Sequence, residues 1–331
     1  MIGGFSAARA VGFAALATMG LSIGSCPGLA QGAYPNRPIN ILTPTTAGSG
    51  MEVQLRMISE VVQRKGGQPF VLEPKPGAMG MVAATNIARA KPDGYSLLIS
   101  PNSPLVFNQL THATLGYDPV AFKSITMISS QPLVMGVRGD FPVNSMKDFI
   151  DYAKANPGKI NYGSQGLGGG NHMAVLLLEK FTGTHMVHVP FNGAEPATQA
   201  LLRGDVDLFM APLANILPWY KEGKLKMFAV GAEARSPDAP DVPTFRELGY
   251  PDDFVLKVWY ALVAPPGTPD AIIEWLNKAI TDALKDPMIA SRFHAMGTDP
   301  MPSAPAEADR FLARERALWE RVAAENNIQK Q

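Results

Sequence analysis

From residue 39 onward the apolar positions switch between two periods. Ile39, Ile41 and Leu42 form a short strand-like run that ends at Pro44. Val53, Met57, Ile58 and Val61 then recur at helical spacing, which predicts a helix over 52–64 stopped by Gly66 and Gly67. The same reading continues with a strand at 70–72, a helix at 79–89 and strands at 95–100, 125–128 and 133–137. Ser145 opens a helix to 156, with Asp148 three residues on as in a capping box. A strand at 161–164 leads through a glycine-rich loop into a helix ending near 181. Strands follow at 187–189, 208–210, 227–230 and 258–264, with a helix at 196–202. Three last helices start near Pro269, Pro287 and Pro305, where a missing N–H costs little.

Such alternation argues for an α/β protein with parallel sheets flanked by helices. In those sheets ligands sit at the carboxyl ends of strands, near helix N-termini. Two strand-to-helix loops are rich in glycine, one around residues 45–51 and one around 164–171. One lies in each half of the chain, so a cleft between two halves is expected.

The stretch before residue 39 has a different composition. Residues 1–30 carry one charge, Arg9, and residues 11–24 are apolar and small. That run is too short and too poorly flanked to span a membrane, and it fits a secretory signal peptide over 1–30. Gly28 and Ala30 put small residues at −3 and −1, which favours cleavage after Ala30. The rival is lipidation at Cys26, which follows Ile23-Gly24-Ser25, although Pro27 is awkward after such a site.

Charge and cysteine change meaning once this segment is set aside. The whole chain has 29 Lys+Arg and 29 Asp+Glu, so it offers no broad basic face for nucleic acid. Its 29 basic residues less Arg9 leave 28 against 29 acidic ones, a net charge of −1. Cys26 is the one cysteine, which excludes an intramolecular disulfide framework and a multi-cysteine zinc site. A chain cleaved after Ala30 has no thiol and suits an oxidising compartment.

A series of motifs then falls in a recognisable order. It begins with Tyr34-Pro35-Asn36-Arg37-Pro38-Ile39 and Pro44-Thr45-Thr46-Ala47-Gly48-Ser49-Gly50-Met51-Glu52. Pro76-Gly77-Ala78-Met79-Gly80 and Lys91-Pro92-Asp93-Gly94-Tyr95 follow. Tyr162-Gly163-Ser164 through Gly168 to His172, Val189-Pro190-Phe191-Asn192-Gly193, Asp241-Val242-Pro243-Thr244 and Ala264-Pro265-Pro266-Gly267 complete it. Each motif alone is weak, but their order over the whole mature chain closely resembles the Bug family, the periplasmic solute receptors of tripartite tricarboxylate transporters.

The resemblance implies a two-lobed periplasmic-binding-protein (type II) fold, each lobe a mostly parallel sheet flanked by helices. Residues 33–131 and 258–331 would form lobe 1 and residues 132–257 lobe 2, with crossings near Gln131-Pro132 and near 256–259. It also implies a periplasmic, non-enzymatic receptor, acting as a monomer, that presents a small organic carboxylate to the small and large membrane subunits of a transporter. No cofactor, metal or nucleic acid is expected. A receptor for a two-component sensor and a secreted enzyme on the same fold are the competing readings.

The candidate ligand-binding residues are Thr45, Thr46, Ala47, Gly48, Ser49 and Gly50 in the first loop. Ser164, Gln165, Gly168, Gly169, Gly170 and Asn171 form the second set, with Asn102, Phe191, Asn192 and Ala211 beside them. A helix N-terminus offers unpaired N–H groups and partial positive charge, which suit an anion. Two such termini facing one cleft would bind a carboxylate without arginine. Ser164 and Asn171 are also candidates for capping the helix that follows.

This chain departs from the family where the usual loop Asp is Glu52, the usual Tyr-Lys is Phe191-Asn192, and Ala211-Pro212 replaces Asp-Asn. Met51, Met79, Met81, Met173 and Met210 lie in or beside ligand motifs. These changes predict a less polar pocket with thioether walls, better suited to an aromatic or apolar carboxylate than to citrate. Ser164→Trp is expected to block closure.

Enzyme signatures are thin. Apart from Gly20-Leu21-Ser22-Ile23-Gly24 inside the expected leader, the chain has no Gly-x-Ser-x-Gly elbow, and it has no Gly-Lys-Ser/Thr phosphate loop. His185 and His188 are three apart around a strand and make a poor metal pair. His188 reads as a satisfied core histidine and His172 as a packing residue.

Overall fold

The computed structural model describes residues 34–251, 254, 256–325, 328 and 330. Contacts divide the chain after Tyr34. The expected leader, its cleavage point and Cys26 lie outside the described residues. The fold belongs to the second unit, Pro35–Gln331.

Its strands are β1 (Ile39–Thr43), β2 (Phe70–Pro74), β3 (Ser96–Ser100), β4 (Lys123–Arg138) and β5 (Asn161–Ser164). They continue with β6 (Val187–Pro190), β7 (Leu208–Pro212), β8 (Leu225–Val230), β9 (Lys257–Ala264) and the two-residue β10 (Asp299–Pro300). The main order is β2-β1-β3-β9-β4-β7-β5-β6, with β8 and β10 pairing onto β4. Pairing is parallel at both flanks, among β2, β1 and β3 and among β7, β5 and β6. The middle is antiparallel: β9 against β3, and β4 against β9, β7 and β8. The parallel pairs are the places where a strand feeds a helix, so the strand-helix alternation in the sequence reports the flanks and not the centre.

β4 is the element that ties the sheet together. The sequence reads as two strands broken at Ser129-Ser130-Gln131-Pro132, but the backbone runs extended through all 16 residues. Its first part pairs with β9 as far as Pro132↔Lys257, and Leu133 onward pairs with β7. Pro132 is tolerated because it stands where β4 changes partner, so its missing N–H interrupts little of the ladder. The segments around Gln131-Pro132 and Lys257-Val258 therefore lie side by side in register. Leu133 N donates to Leu256 O (2.8 Å) and Gly231 N donates to Leu133 O (2.7 Å) at the same place.

The helices are α1 (Gly50–Arg64), α2 (Met81–Ala88), the four-residue α3 (Asn108–Thr111), α4 (Met146–Ala155) and α5 (Gly170–Thr182). They continue with α6 (Ala194–Arg203), α7 (Leu213–Lys221), α8 (Asp270–Leu284), α9 (Pro287–Ala295) and α10 (Pro305–Glu325). Ser49 caps α1 and Ser145 caps α4, each accepting from the N–H three residues on. α1 buries Met51, Leu55, Ile58, Val61 and Val62 as one stripe. α3 and α7 have no counterpart in the sequence reading. α3 is too short for periodicity to report, and Pro218 interrupts the pattern of α7. A π-type turn at Ser103–Phe107 leads into α3 and buries all five of its side chains.

Candidate functional site

The first glycine loop connects β1 to α1. Its Thr46, Ala47, Gly48 and Gly50 are exposed, and Thr45 Oγ1 lies 2.8 Å from Ser49 Oγ. Glu52 is 1% exposed and turns back into this loop. Its carboxylate accepts from Gly48 N (3.0 Å) and Thr43 Oγ1 (3.3 Å), and Arg56 stands 3.7 Å away. The positive end of α1 thus already faces a carboxylate of its own chain. Six of the candidate residues sit here, in a loop organised around Glu52.

The second loop is built differently. α5 starts after Gly169 with no side-chain cap and no acidic residue in its first turn. Neither Ser164 nor Asn171 caps it, contrary to expectation. Asn171 Nδ2 donates to the Met210 carbonyl of β7, and Ser164 is fully buried at the end of β5. Ser164 Oγ accepts from Gly166 N (3.0 Å) and lies 2.6 Å from His188 Nε2. His172 Nδ1 accepts from Gly168 N (3.2 Å), so the loop is folded around two imidazoles.

Those imidazoles stack with Tyr162. The His172 and His188 ring centroids are 4.3 Å apart, and His188 lies 5.1 Å from Tyr162 at an interplanar angle of 25°. Burial, and then the neighbouring His188, push His172 down from 6.5 to about 4. Burial lowers His188 as well. Both rings are therefore neutral near pH 7 and available as hydrogen-bond acceptors. The Ser164–His188 contact has the geometry of a nucleophile and base, but Ser164 is 0% exposed and offers no path to a substrate. Its burial also changes one expectation: Ser164→Trp would disrupt the loop from within, so it cannot report closure alone.

Opposite this loop stands a turn with unusual backbone. Ala78 (φ 46°) and Met79 (φ 50°) are the positive-φ residues other than glycine among those described. Each such conformation costs a residue with a Cβ about 1–2 kcal/mol. Ala78 is exposed, so Ala78→Gly should raise the unfolding free energy by about 0.5–1 kcal/mol, which urea titration would measure.

Between the two lies a cavity of about 370 Å³. Of the candidate residues, Gln165, Phe191 and Asn192 line it, together with Ala78, Met79, Thr111, His112, Gly166 and Leu167. Gly168 and Gly169 are buried in the adjoining loop, and Gly170 begins α5. Residues 45–50 are not on its wall. Asn102 supports β9, donating to Lys257 O (3.3 Å) and accepting from Trp259 N (3.2 Å). Ala211 is fully buried in β7. The methionine expectation also narrows. Met51, Met173 and Met210 are buried core residues and Met81 packs against the core, leaving Met79 on the cavity wall. Thr111 and His112 were not foreseen, because the π-type turn and α3 that place them leave no periodic signal. Among the described residues no cluster of His, Cys, Asp and Glu could hold a metal ion, and no helix is long and apolar enough to cross a membrane.

Residues 54–328 match the model of the tripartite tricarboxylate transporter family receptor. Protein BugT of Bordetella pertussis is 31% identical over 315 residues, covering 94% of this chain and 96% of BugT. A protein from R. palustris solved with adipate superposes with a TM-score of 0.81 at 29% identity, covering 90% of this chain and 100% of that one. MatC from Rhodopseudomonas palustris, solved with bound malate, gives a TM-score of 0.77 at 31% identity, covering 88% and 100%. The chain belongs to the tripartite tricarboxylate transporter receptor family.

Proposed function

We propose that this receptor is exported to the periplasm and holds a small carboxylate at the N-terminus of α5, in the cavity between the second glycine loop and the Met79 turn. The observation that carries this reading is the contrast between the two helix entries. α1 already faces Glu52, whereas α5 opens uncapped three residues after Leu167, which lines the cavity. Anion capture then rests on one set of backbone N–H groups where the sequence alone offered two. Each charge-assisted hydrogen bond is worth about 1.5–3 kcal/mol. Two or three with apolar burial are enough for micromolar affinity, about 8 kcal/mol.

In this reading residues 33–131 and 258–331 form one lobe and residues 132–257 the other. The paired segments of β4 and β9 around Pro132 and Lys257 act as the hinge. The ligand joins the lobes, shifts the population toward the closed form, and the closed form docks on the membrane subunits of a transporter. Gln165, Asn192 and His112 supply polar groups to the cavity, and Phe191, Leu167 and Met79 supply apolar surface. That mixture suits a carboxylate with an apolar body. The solved relatives carry adipate and malate, both small carboxylates.

Isothermal titration calorimetry with adipate, malate, citrate and benzoate tests this directly. We expect stoichiometric binding without turnover, with adipate or benzoate tighter than citrate. Citrate as the tightest ligand would overturn the apolar assignment, and turnover of any of them would overturn the receptor.

A further inference from the structure

Met79 is held in a conformation its side chain does not favour, and the surroundings explain how. Behind it, Gly80 is buried so tightly that a Cβ there would lie 2.6 Å from Pro104 Cγ and 3.1 Å from Pro44 Cβ. Asn108 Nδ2 donates to Met79 O (3.2 Å) and fixes the peptide from a third direction. Gly77 and Gly80, both at positive φ, carry the chain in and out. The turn is therefore clamped between the end of β1, the π-type turn and α3. Its left-handed backbone sends the Met79 side chain toward the second glycine loop.

The side chain ends on bare backbone. Met79 Sδ is 3.3 Å from the point a Cβ on Gly166 would occupy, and Met79 Cε is 3.3 Å from the corresponding point on Gly169. Both glycines belong to the loop that leads into α5, and the Met79 thioether covers them where any larger residue would displace it. We propose that Met79 is a specificity-determining residue: its thioether forms the wall of the cavity facing the second glycine loop and selects carboxylates with an apolar body over hydroxylated ones. The inference rests on the carboxylate-receptor reading above.

A thioether is polarizable and apolar, so it packs against methylenes but gives a hydroxyl no strong partner. A hydroxyl placed against it loses its water and gains little in return. Removing the side chain lets water reach Gly166 and Gly169 and lets a hydroxyl keep a partner. Glycine also fits the left-handed backbone, so Met79→Gly is expected to fold.

The test compares adipate with malate by calorimetry on the wild-type chain, Met79→Gly and Met79→Leu. Met79→Gly should shift the adipate-to-malate affinity ratio toward malate by about tenfold. Met79→Leu keeps an apolar wall and should hold the ratio within about threefold. The Met79 methyl resonance, assigned by its loss in Met79→Gly, should shift when adipate is added. If the wild-type chain binds either acid, Met79→Gly leaves the affinity ratio unmoved and adipate leaves the wild-type Met79 methyl resonance in place, the inference falls and the receptor reading stands. If neither acid binds any of the three proteins, both fall. Binding gained only in Met79→Gly supports Met79 as the wall.

Discussion

Gly168→Ala should weaken carboxylate binding roughly tenfold to a hundredfold, and Thr111→Ala in the same chain should restore much of it. A Cβ at Gly168 would lie 2.7 Å from Thr111 Cγ2 and 2.9 Å from its Oγ1, far inside contact distance. Thr111 has little room to retreat. It is buried, donates to Phe107 O (3.3 Å) and lies 2.9 Å from His112 Nδ1. Two separate penalties follow from one methyl group. Gly168 has φ +74°, so alanine is strained there whether or not the loop touches α3, at about 1–2 kcal/mol of stability. The clash exists only when the second glycine loop meets α3, and overpacking of that kind costs about 1–3 kcal/mol. If contact accompanies ligand capture, the clash appears as lost affinity and the strain as lost stability. Thr111→Ala then repairs affinity but leaves the melting temperature low. Full recovery of stability with no recovery of affinity would show that the contact is permanent and unrelated to binding.

Acidification should cost this protein about 3 kcal/mol of stability through His172 alone. In the unfolded chain this imidazole takes a proton near its ordinary 6.5, whereas the fold holds it down to about 4. Above 6.5 both states are neutral and the full stability is present. Between 6.5 and 4 the unfolded state binds more protons, so stability falls as the pH falls, and below about 4 the loss is complete. About 2 kcal/mol of it should be gone by pH 5. The cause has a structural reading as well. Protonated Nδ1 cannot accept from Gly168 N, so the second glycine loop loosens as the ring charges. Urea titrations at pH 7, 6 and 5 on the wild-type chain and His172→Gln measure it. Glutamine retains an acceptor without the titration, so its curve should be flatter, keeping the loss that the buried His188 adds. An equal slope in both proteins would remove His172 as the source.

Much of the scaffold is legible in the residues themselves. The apolar stripe at Val53, Met57, Ile58 and Val61 lies within α1, although Val53 itself faces solvent at 40% exposed. The three prolines at 269, 287 and 305 mark the starts of α8, α9 and α10. These are local signals, set by the backbone of a few consecutive residues. The candidate site was harder to read. Glycine loops are visible as composition, but composition cannot say whether a loop faces a ligand or its own helix. Glu52 decided that for the first loop by turning back onto Gly48. His188 and His172 decided it for the second, through contacts across the β5–β6 pairing and one turn into α5.

By itself, then, the sequence determined the family, the alternation of strands and helices, and the two glycine-rich loops at strand ends. Those follow from short-range preferences and from the order of motifs along the chain. The antiparallel centre of the sheet, the continuous β4, the meeting of Met79 with Gly166 and Gly169, and the stacked imidazoles were decided by tertiary structure. Each depends on residues far apart in the chain whose proximity no local pattern encodes. Met79 shows the difference most directly. In sequence it is one methionine among five near ligand motifs, and only the clamp of Pro44, Pro104 and Asn108 turns it toward the second glycine loop.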